Sequence, residues 1–235
     1  MKVFNTRPLK NGYNKIASIA EHPTLFMDFG IIRLSRDERY QSSEQKERVL
    51  LLLEGEIILR WNGLTVGGER YSWWRENGIC LHVPAGESFE VIGRGDEAEL
   101  MLCAAVNSNL FPGQIHFPQA TSICGPENSG GETTEQIIRE IINKSNQPRA
   151  RLTLNEYLPR TGSWLEFSRQ VHGCPEIHYY KFYPHNGYAL LRSGQDAWMI
   201  ENGDAVITCD GSKGCSVCGV PGYQMNCICC AYQWD

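Results

Sequence analysis

Hydrophobic residues in the first hundred positions form short segments separated by turn signals. Residues 26–34 and 79–83 each predict a strand. Residues 49–53 and 57–59 predict two strands around a tight turn at Glu54-Gly55-Glu56. Many short strands at close spacing are typical of an all-β barrel or sandwich.

The same style of segment returns near the end of the chain, where residues 151–157 alternate between apolar and polar side chains. Two β halves of about 80–110 residues predict tandem barrels. We therefore expect an N-terminal barrel at 1–110 with a structural role and a linker with a helix at 111–148. A C-terminal barrel at 149–235 would hold the candidate active site.

One helix is predicted in the linker. Thr133 fits an N-cap, with Gln136 three residues later as its capping-box partner. Four isoleucines then form one apolar stripe, namely Ile137, Ile138, Ile141 and Ile142. The pattern ends at residues 143–146, before Pro148. We interpret this helix as a connector packed on a barrel, with a partner-binding helix as the alternative.

Composition and charge narrow the class of protein. Hydrophobic residues make up 42% of the 235 residues and charged residues 21%, which is ordinary for a globular protein. The net charge of −5 comes without a basic cluster, so neither nucleic acid nor a membrane is an expected partner. The N-terminus lacks the apolar core of a secretion signal, and the longest aliphatic run, residues 49–53, is too short to span a bilayer. We expect a soluble, cytoplasmic protein.

The chain has ten cysteines, and six of them follow residue 208. Without a secretion signal we expect mostly free thiols. The spacing Cys215-x-x-Cys218 followed by Cys227-x-Cys229-Cys230 offers four thiolates for a tetrahedral zinc ion. The simpler interpretation is that these cysteines are small buried hydrophobic residues on strands.

Several segments taken together resemble the 5-deoxy-glucuronate isomerase family of inositol catabolism. In the second half these are residues 154–164, Tyr179-Tyr180 and 204–207, and in the first half they include 29–34 and 83–86. The resemblance implies a double cupin, that is, two jelly-roll β-barrels, with the short helix connecting them. It also implies an aldose–ketose isomerase that converts a sugar acid through an enediolate, with a divalent metal ion in the C-terminal cupin.

The resemblance places the family's metal motif between residues 170 and 213. Its first histidine falls at Gln170, its second at His172, its glutamate at Glu176 or one place later, and its last histidine at Lys213. His178 could replace a lost ligand, because residues two apart on a strand share a face. The implied ion is zinc, manganese or iron, and the two replaced histidines leave open that no metal is bound.

The resemblance also suggests residues for substrate binding and catalysis. Lys213 could bind the substrate carboxylate or supply the positive charge of the metal, and Gln170 is a further substrate-binding candidate. Arg192 matches a family arginine and could pair with a carboxylate. Tyr179 and Tyr180 alternate across a strand, so one should face inward, with packing as the simpler role and proton relay as the catalytic one.

Three functions remain open at this point. The first is a sugar-acid isomerase with an altered site, which His172, Glu176 and Arg192 favour. The second is a non-catalytic cupin that binds a sugar acid or a protein partner, which Gln170 and Lys213 favour. The third is a zinc–cysteine module appended to a barrel. A homo-oligomer is possible for each.

Overall fold

A computed structural model describes residues 2–6, 8–124, 136–167, 174–208 and 214–234. Strands dominate, and the only helical elements among these residues are two 3₁₀ turns, at Pro23–Leu25 and Pro118–Ala120. The strands are β1 (Lys2–Asn5), β2 (Gly12–Ala17), β3 (Met27–Leu34), β4 (Arg39–Ser42), β5 (Glu47–Trp61), β6 (Leu64–Arg70), β7 (Cys80–Val83), β8 (Phe89–Gly93), β9 (Ala98–Ala105), β10 (Gln114–His116), β11 (Ser122–Cys124), β12 (Gln136–Ile142), β13 (Leu152–Pro159), β14 (Trp164–Phe167), β15 (Glu176–Tyr183), β16 (Tyr188–Ser193), β17 (Asp196–Glu201), β18 (Asp204–Thr208), β19 (Cys215–Gly219) and β20 (Gln224–Tyr232). Within the described ranges, no helix is long and apolar enough to cross a membrane.

The predicted connecting helix is wrong. Its isoleucine-rich stretch forms strand β12, which pairs antiparallel with β11. The apolar stripe does not form a buried helical face, since Ile137 is 45% exposed and Arg139 is buried beside Glu156. β-Branched side chains pack well on a pleated surface, and neighbouring strands supplied that surface. The proposed N-cap, Thr133, lies outside the described residues.

Strand β5 also differs from the sequence prediction, which placed a turn in its middle. The strand runs unbroken from Glu47 to Trp61, with a β-bulge between Leu52 and Glu54. Gly55 follows the bulge with a φ of +96°. The first part of β5 pairs with β7 and β9, and the last part pairs with β6 and β8. One bent strand therefore serves both faces of a barrel.

Contacts within the chain define two compact units. We call Pro8–Thr121 with Ile142–Thr153 the first unit, and Met1–Arg7, Ser122–Ile141 and Leu154–Asp235 the second unit. Strand β1 pairs with β18, so the start of the chain belongs to the second unit. The domain boundaries predicted at residues 110 and 148 stay predictions.

The second unit is built from two sheets. One has seven strands in the order β1-β18-β15-β20-β13-β12-β11, and the other has four in the order β14-β19-β16-β17. Inward side chains of both sheets form one core, which includes Leu165, Tyr180, Phe182, Leu191, Val206, Cys215, Val217, Met225 and Cys227. Central strand β15 lies between β18 and β20, so its inward residues are surrounded by other strands.

Candidate functional site

The candidate site begins with the alternation of side chains along β15. Tyr180 and Phe182 belong to the core of the second unit. Side chains two residues apart on a strand share a face, so His178 and Glu176 extend the same row. Strand β20 pairs with β15 and places Cys229 opposite His178.

Glu176, His178 and Cys229 converge at one end of this row. Each offers a ligand atom, and these atoms all lie within 4.8 Å of one another. The Glu176 carboxylate accepts a hydrogen bond from His178 Nε2 at 2.8 Å. All three side chains are buried. A carboxylate, an imidazole and a thiol therefore share a space shielded from water.

The surroundings of this cluster are aromatic and rich in sulfur. The Phe167 ring lies edge-on to the His178 ring at 4.1 Å between centroids. Burial raises the pKa of the Tyr157 hydroxyl well above its usual range, with Cys229 nearby adding to the effect. Burial likewise raises the pKa of Cys229 well above its usual range, and the Glu176 carboxylate opposes a second negative charge beside it. The two groups therefore carry their protons at neutral pH unless a cation is present.

Two atoms of the cluster have a lone pair that binds no hydrogen-bond donor. Glu176 Oε1 and His178 Nδ1 are buried without a hydrogen-bond partner in the described part of the chain. Unpartnered buried polar atoms are costly, and a bound ion is one of the few explanations for them. An O, N and S donor set fits a divalent transition metal such as zinc, cobalt or iron. The residues present therefore fit a metal ion.

Two residues predicted for the site lie away from it. Tyr179 is fully buried, but its side chain lies on the face of β15 that points away from His178. Its partners on the neighbouring strands are Ala205 and Ile228. Arg192 is exposed on β16, where its Nε donates to the Gly194 carbonyl at 3.3 Å. Of the pair considered for an inward tyrosine, Tyr180 faces the core.

Three further predicted site residues, Gln170, His172 and Lys213, lie outside the described residues. Their predicted roles as ligands or substrate contacts stay predictions. Glu176 and His178 are the two predicted ligands that the structure brings together.

The cysteine pairs near the end of the chain do not converge. Cys215 lies in the core, whereas Cys218, three residues along the same strand, is only half-buried on the other face. Cys229 and Cys230 are adjacent on β20 and so face opposite sides of it. The four-cysteine zinc hypothesis is therefore wrong, and burial of most of these thiols fits their interpretation as small hydrophobic residues.

The first unit has a buried polar cluster of a different kind. The Glu47 carboxylate accepts four hydrogen bonds of 2.6–3.0 Å, from His82 Nε2, Asn107 Nδ2 and the backbone N–H groups of Arg151 and Leu152. Its charge is thus satisfied by the protein itself. This arrangement anchors the segment Ile142–Thr153 within the first unit, which is a structural task.

Sequence reasoning did not select Cys229 or Tyr157 for the site. The spacing Cys227-x-Cys229 does place two thiols on one face of a strand. The residues opposite that face depend on how β20 pairs with β15. The register of this pairing cannot be predicted from the β20 segment alone. The sequence therefore predicts that Cys227 and Cys229 share a face, but not that Cys229 lies beside His178.

Comparisons with known proteins identify the family and the fold. The model of the KduI/IolB family matches residues 6–230. No curated protein matches the chain.

Solved structures resemble the fold over nearly all of the chain. An IolB-like protein from Salmonella typhimurium LT2 aligns with a TM-score of 0.85 at 20% identity, covering 99% of this chain and 93% of that one. AerE from Microcystis aeruginosa aligns at 0.71 with 10% identity, covering 99% of both chains. A cupin 2 conserved barrel domain protein from Leptotrichia buccalis aligns at 0.59 with 10% identity, covering 99% and 96%. The all-β double-cupin fold is confirmed.

Proposed function

The chain belongs to the KduI/IolB family, and from this premise we propose that it is a sugar-acid aldose–ketose isomerase of inositol catabolism. Family membership suggests a sugar isomerase. The observation that carries the narrower proposal is the convergence of Glu176, His178 and Cys229 in the interior of the second unit. The substrate would be a small deoxy sugar acid such as 5-deoxy-glucuronate.

The reaction would move a proton between adjacent carbons through an enediolate, with a base in the site removing a proton from carbon 2 and returning one to carbon 1. A divalent ion, when bound, would polarise the substrate carbonyl and stabilise the developing oxyanion. Glu176 and His178 would hold it, together with His172, the ligand that the resemblance implies. The Tyr157 hydroxyl keeps its proton because burial raises its pKa, so it would donate a hydrogen bond to a substrate oxygen.

The remaining predicted residues keep narrower roles in this proposal. Lys213 would bind the substrate carboxylate, and Gln170 would contact a substrate hydroxyl. Tyr179 and Arg192 have no part in it, because one faces away from the cluster and the other is exposed on β16.

Turnover of 5-deoxy-glucuronate in D₂O tests the proposal. We expect deuterium at the product carbon that was the substrate aldehyde, because the proton removed from carbon 2 exchanges with solvent before the enediolate is protonated there. NMR spectroscopy would measure it. Product formed without any deuterium would contradict the enediolate.

Substitution of Glu176 tests the site itself. We expect Glu176→Gln to lower kcat/KM at least about 100-fold, or about 2.7 kcal/mol of transition-state stabilisation. Glu69→Gln is the matched control, because Glu69 is an exposed carboxylate on β6 of the first unit. His172→Ala is expected to abolish metal binding and activity. Full activity in both site variants would contradict the proposal.

A non-catalytic cupin that binds a sugar acid or a partner is the second candidate. The observation that favours it is the presence of Gln170 and Lys213 where the resemblance expects histidines. Saturable binding of the sugar acid by calorimetry, with no turnover in the presence of added zinc, manganese or iron, would establish this alternative.

A further inference from the structure

We infer that Cys229 is a thiolate ligand of the metal ion in the second unit, and that the site selects a thiophilic ion such as Zn²⁺ over Mn²⁺ or Mg²⁺. This inference rests on the metal site used in the proposed function. The Cys229 side chain is 4% exposed, and its sulfur is one of the three ligand atoms that lie within 4.8 Å of one another. Its place is set by the β15–β20 pairing, which puts Cys229 opposite His178.

Cys229 differs from the other thiols near it. Cys227 lies two residues earlier on the same face but is opposite Tyr180 and packs in the apolar core with Cys215. Cys230 faces the other side of β20. Among the described residues, Cys229 is the cysteine that groups with Glu176 and His178.

The donor set determines which ion fits. Mg²⁺ and Mn²⁺ prefer carboxylate, carbonyl and water oxygens, whereas thiolate favours zinc and related ions. Structural zinc sites close the tetrahedron with four protein ligands, and catalytic sites keep one position open. Glu176, His178 and Cys229 supply three ligands, so one tetrahedral position is left for a further donor.

Cobalt is the probe that reports a thiolate directly. Metal-free protein titrated with Co²⁺ is expected to develop a sulfur-to-cobalt charge-transfer band in the near ultraviolet. Cys229→Ser should lose this band and bind Zn²⁺ more than about 100-fold more weakly, since even outer-shell changes cost about 10–100-fold. Cys227→Ser is the matched control and should keep both the band and the affinity.

Each outcome decides the inference. A band that persists in Cys229→Ser, or cobalt bound to the wild-type protein with no charge-transfer band, would overturn the thiolate ligand. Circular dichroism and thermal melting of the metal-free variants exclude misfolding as the cause of a lost band. A thiolate band without any isomerase turnover would leave this inference standing and remove the proposed function.

We also infer, from a separate observation, that the outer face of the four-stranded sheet binds a second copy of this chain. Four side chains form one row across this face, because Trp164 is opposite Cys218, Cys218 is opposite Leu190, and Leu190 is opposite Met199. Trp164, Leu190 and Met199 are 43%, 49% and 57% exposed. A continuous apolar row on the surface is typical of an interaction site.

The charges beside this row point to a second copy as the occupant. Arg192 and Glu166 lie in the next row on one side, and Tyr188 and Glu201 lie in the next row on the other side. A two-fold axis along the apolar row brings Arg192 of one copy onto Tyr188 and beside Glu201 of the other copy. Such an axis therefore places Arg192 of one copy near a carboxylate of the other.

Analytical ultracentrifugation of the full chain tests this interface. The wild-type protein is expected to be a dimer, and Leu190→Glu is expected to raise the dissociation constant at least about tenfold, or about 1.4 kcal/mol. Leu64→Glu is the control, because Leu64 is 52% exposed on the first unit. Arg192→Glu should weaken the dimer, and the double variant with Glu201→Arg should restore it. A monomeric wild-type protein, or a dimer unaffected by Leu190→Glu, would overturn the inference.

Discussion

His116 shows at the scale of one residue how burial changes a titration. Its ring is 5% exposed in the first unit and lies 6.4 Å from the His82 ring between centroids. Burial lowers the pKa of His116 to about 4, with the His82 ring nearby contributing to the same direction. In the folded protein His116 therefore stays neutral at pH values near 6.5, at which an exposed histidine begins to bind a proton.

The lowered pKa of His116 predicts acid sensitivity. The unfolded chain binds a proton at this histidine below pH 6.5 and the folded chain does not until about pH 4, so stability is lost as the pH falls through this window. Between pH 7 and pH 5 we expect the free energy of unfolding of the metal-free protein to fall by about 2 kcal/mol from this residue. Urea unfolding at the two pH values measures it.

Two variants separate His116 from the other histidines. His116→Leu should remove most of this loss between pH 7 and pH 5. His185→Gln is the control, because it removes an exposed histidine of the second unit and leaves His116 in place. An unchanged pH dependence in His116→Leu would contradict the assignment.

Strand β5 shows why the predicted turn at Glu54-Gly55-Glu56 does not form. The segment Glu54-Gly55-Glu56 was predicted as a tight turn because glycine between charged residues interrupts two apolar runs. In the structure Gly55 instead bends a single strand, and its pairing changes from β9 to β6 and β8 around this point. Bulges and glycine kinks bend strands at barrel corners, and the neighbouring strands decide between a bend and a turn.

The bend at Gly55 predicts a large cost for an added side chain. A Cβ at Gly55 would overlap the Glu97 carbonyl oxygen, and the φ of +96° is unfavourable for any other residue. We expect Gly55→Ala to lower the free energy of unfolding by more than about 3 kcal/mol. Gly63→Ala is the control, because Gly63 has a φ of +75° with nothing within 4 Å, and should cost about 1 kcal/mol. Equal losses in urea unfolding would contradict the steric argument.

The whole molecule consists of two units whose sequences interleave. Strand β1 at the start of the chain pairs with β18, and Ile142–Thr153 belongs to the first unit although it follows strands of the second. Domain limits predicted from the sequence assume that each domain is one continuous segment, so they miss a segment that belongs to the other unit. The cytoplasmic location and the homo-oligomer remain predictions at this scale.

Short strands broken by turn signals were enough to predict the all-β class, and the order of several resembling segments was enough to predict the double cupin and the family. The resemblance also selected Glu176, and strand alternation added His178 because it lies two residues later on the same face. Only the tertiary structure decided that β12 is a strand, that Tyr180 rather than Tyr179 faces the core, and that Cys229 joins the site. Each of these depends on which strands pair and in what register, and that pairing is a property of residues distant in the chain.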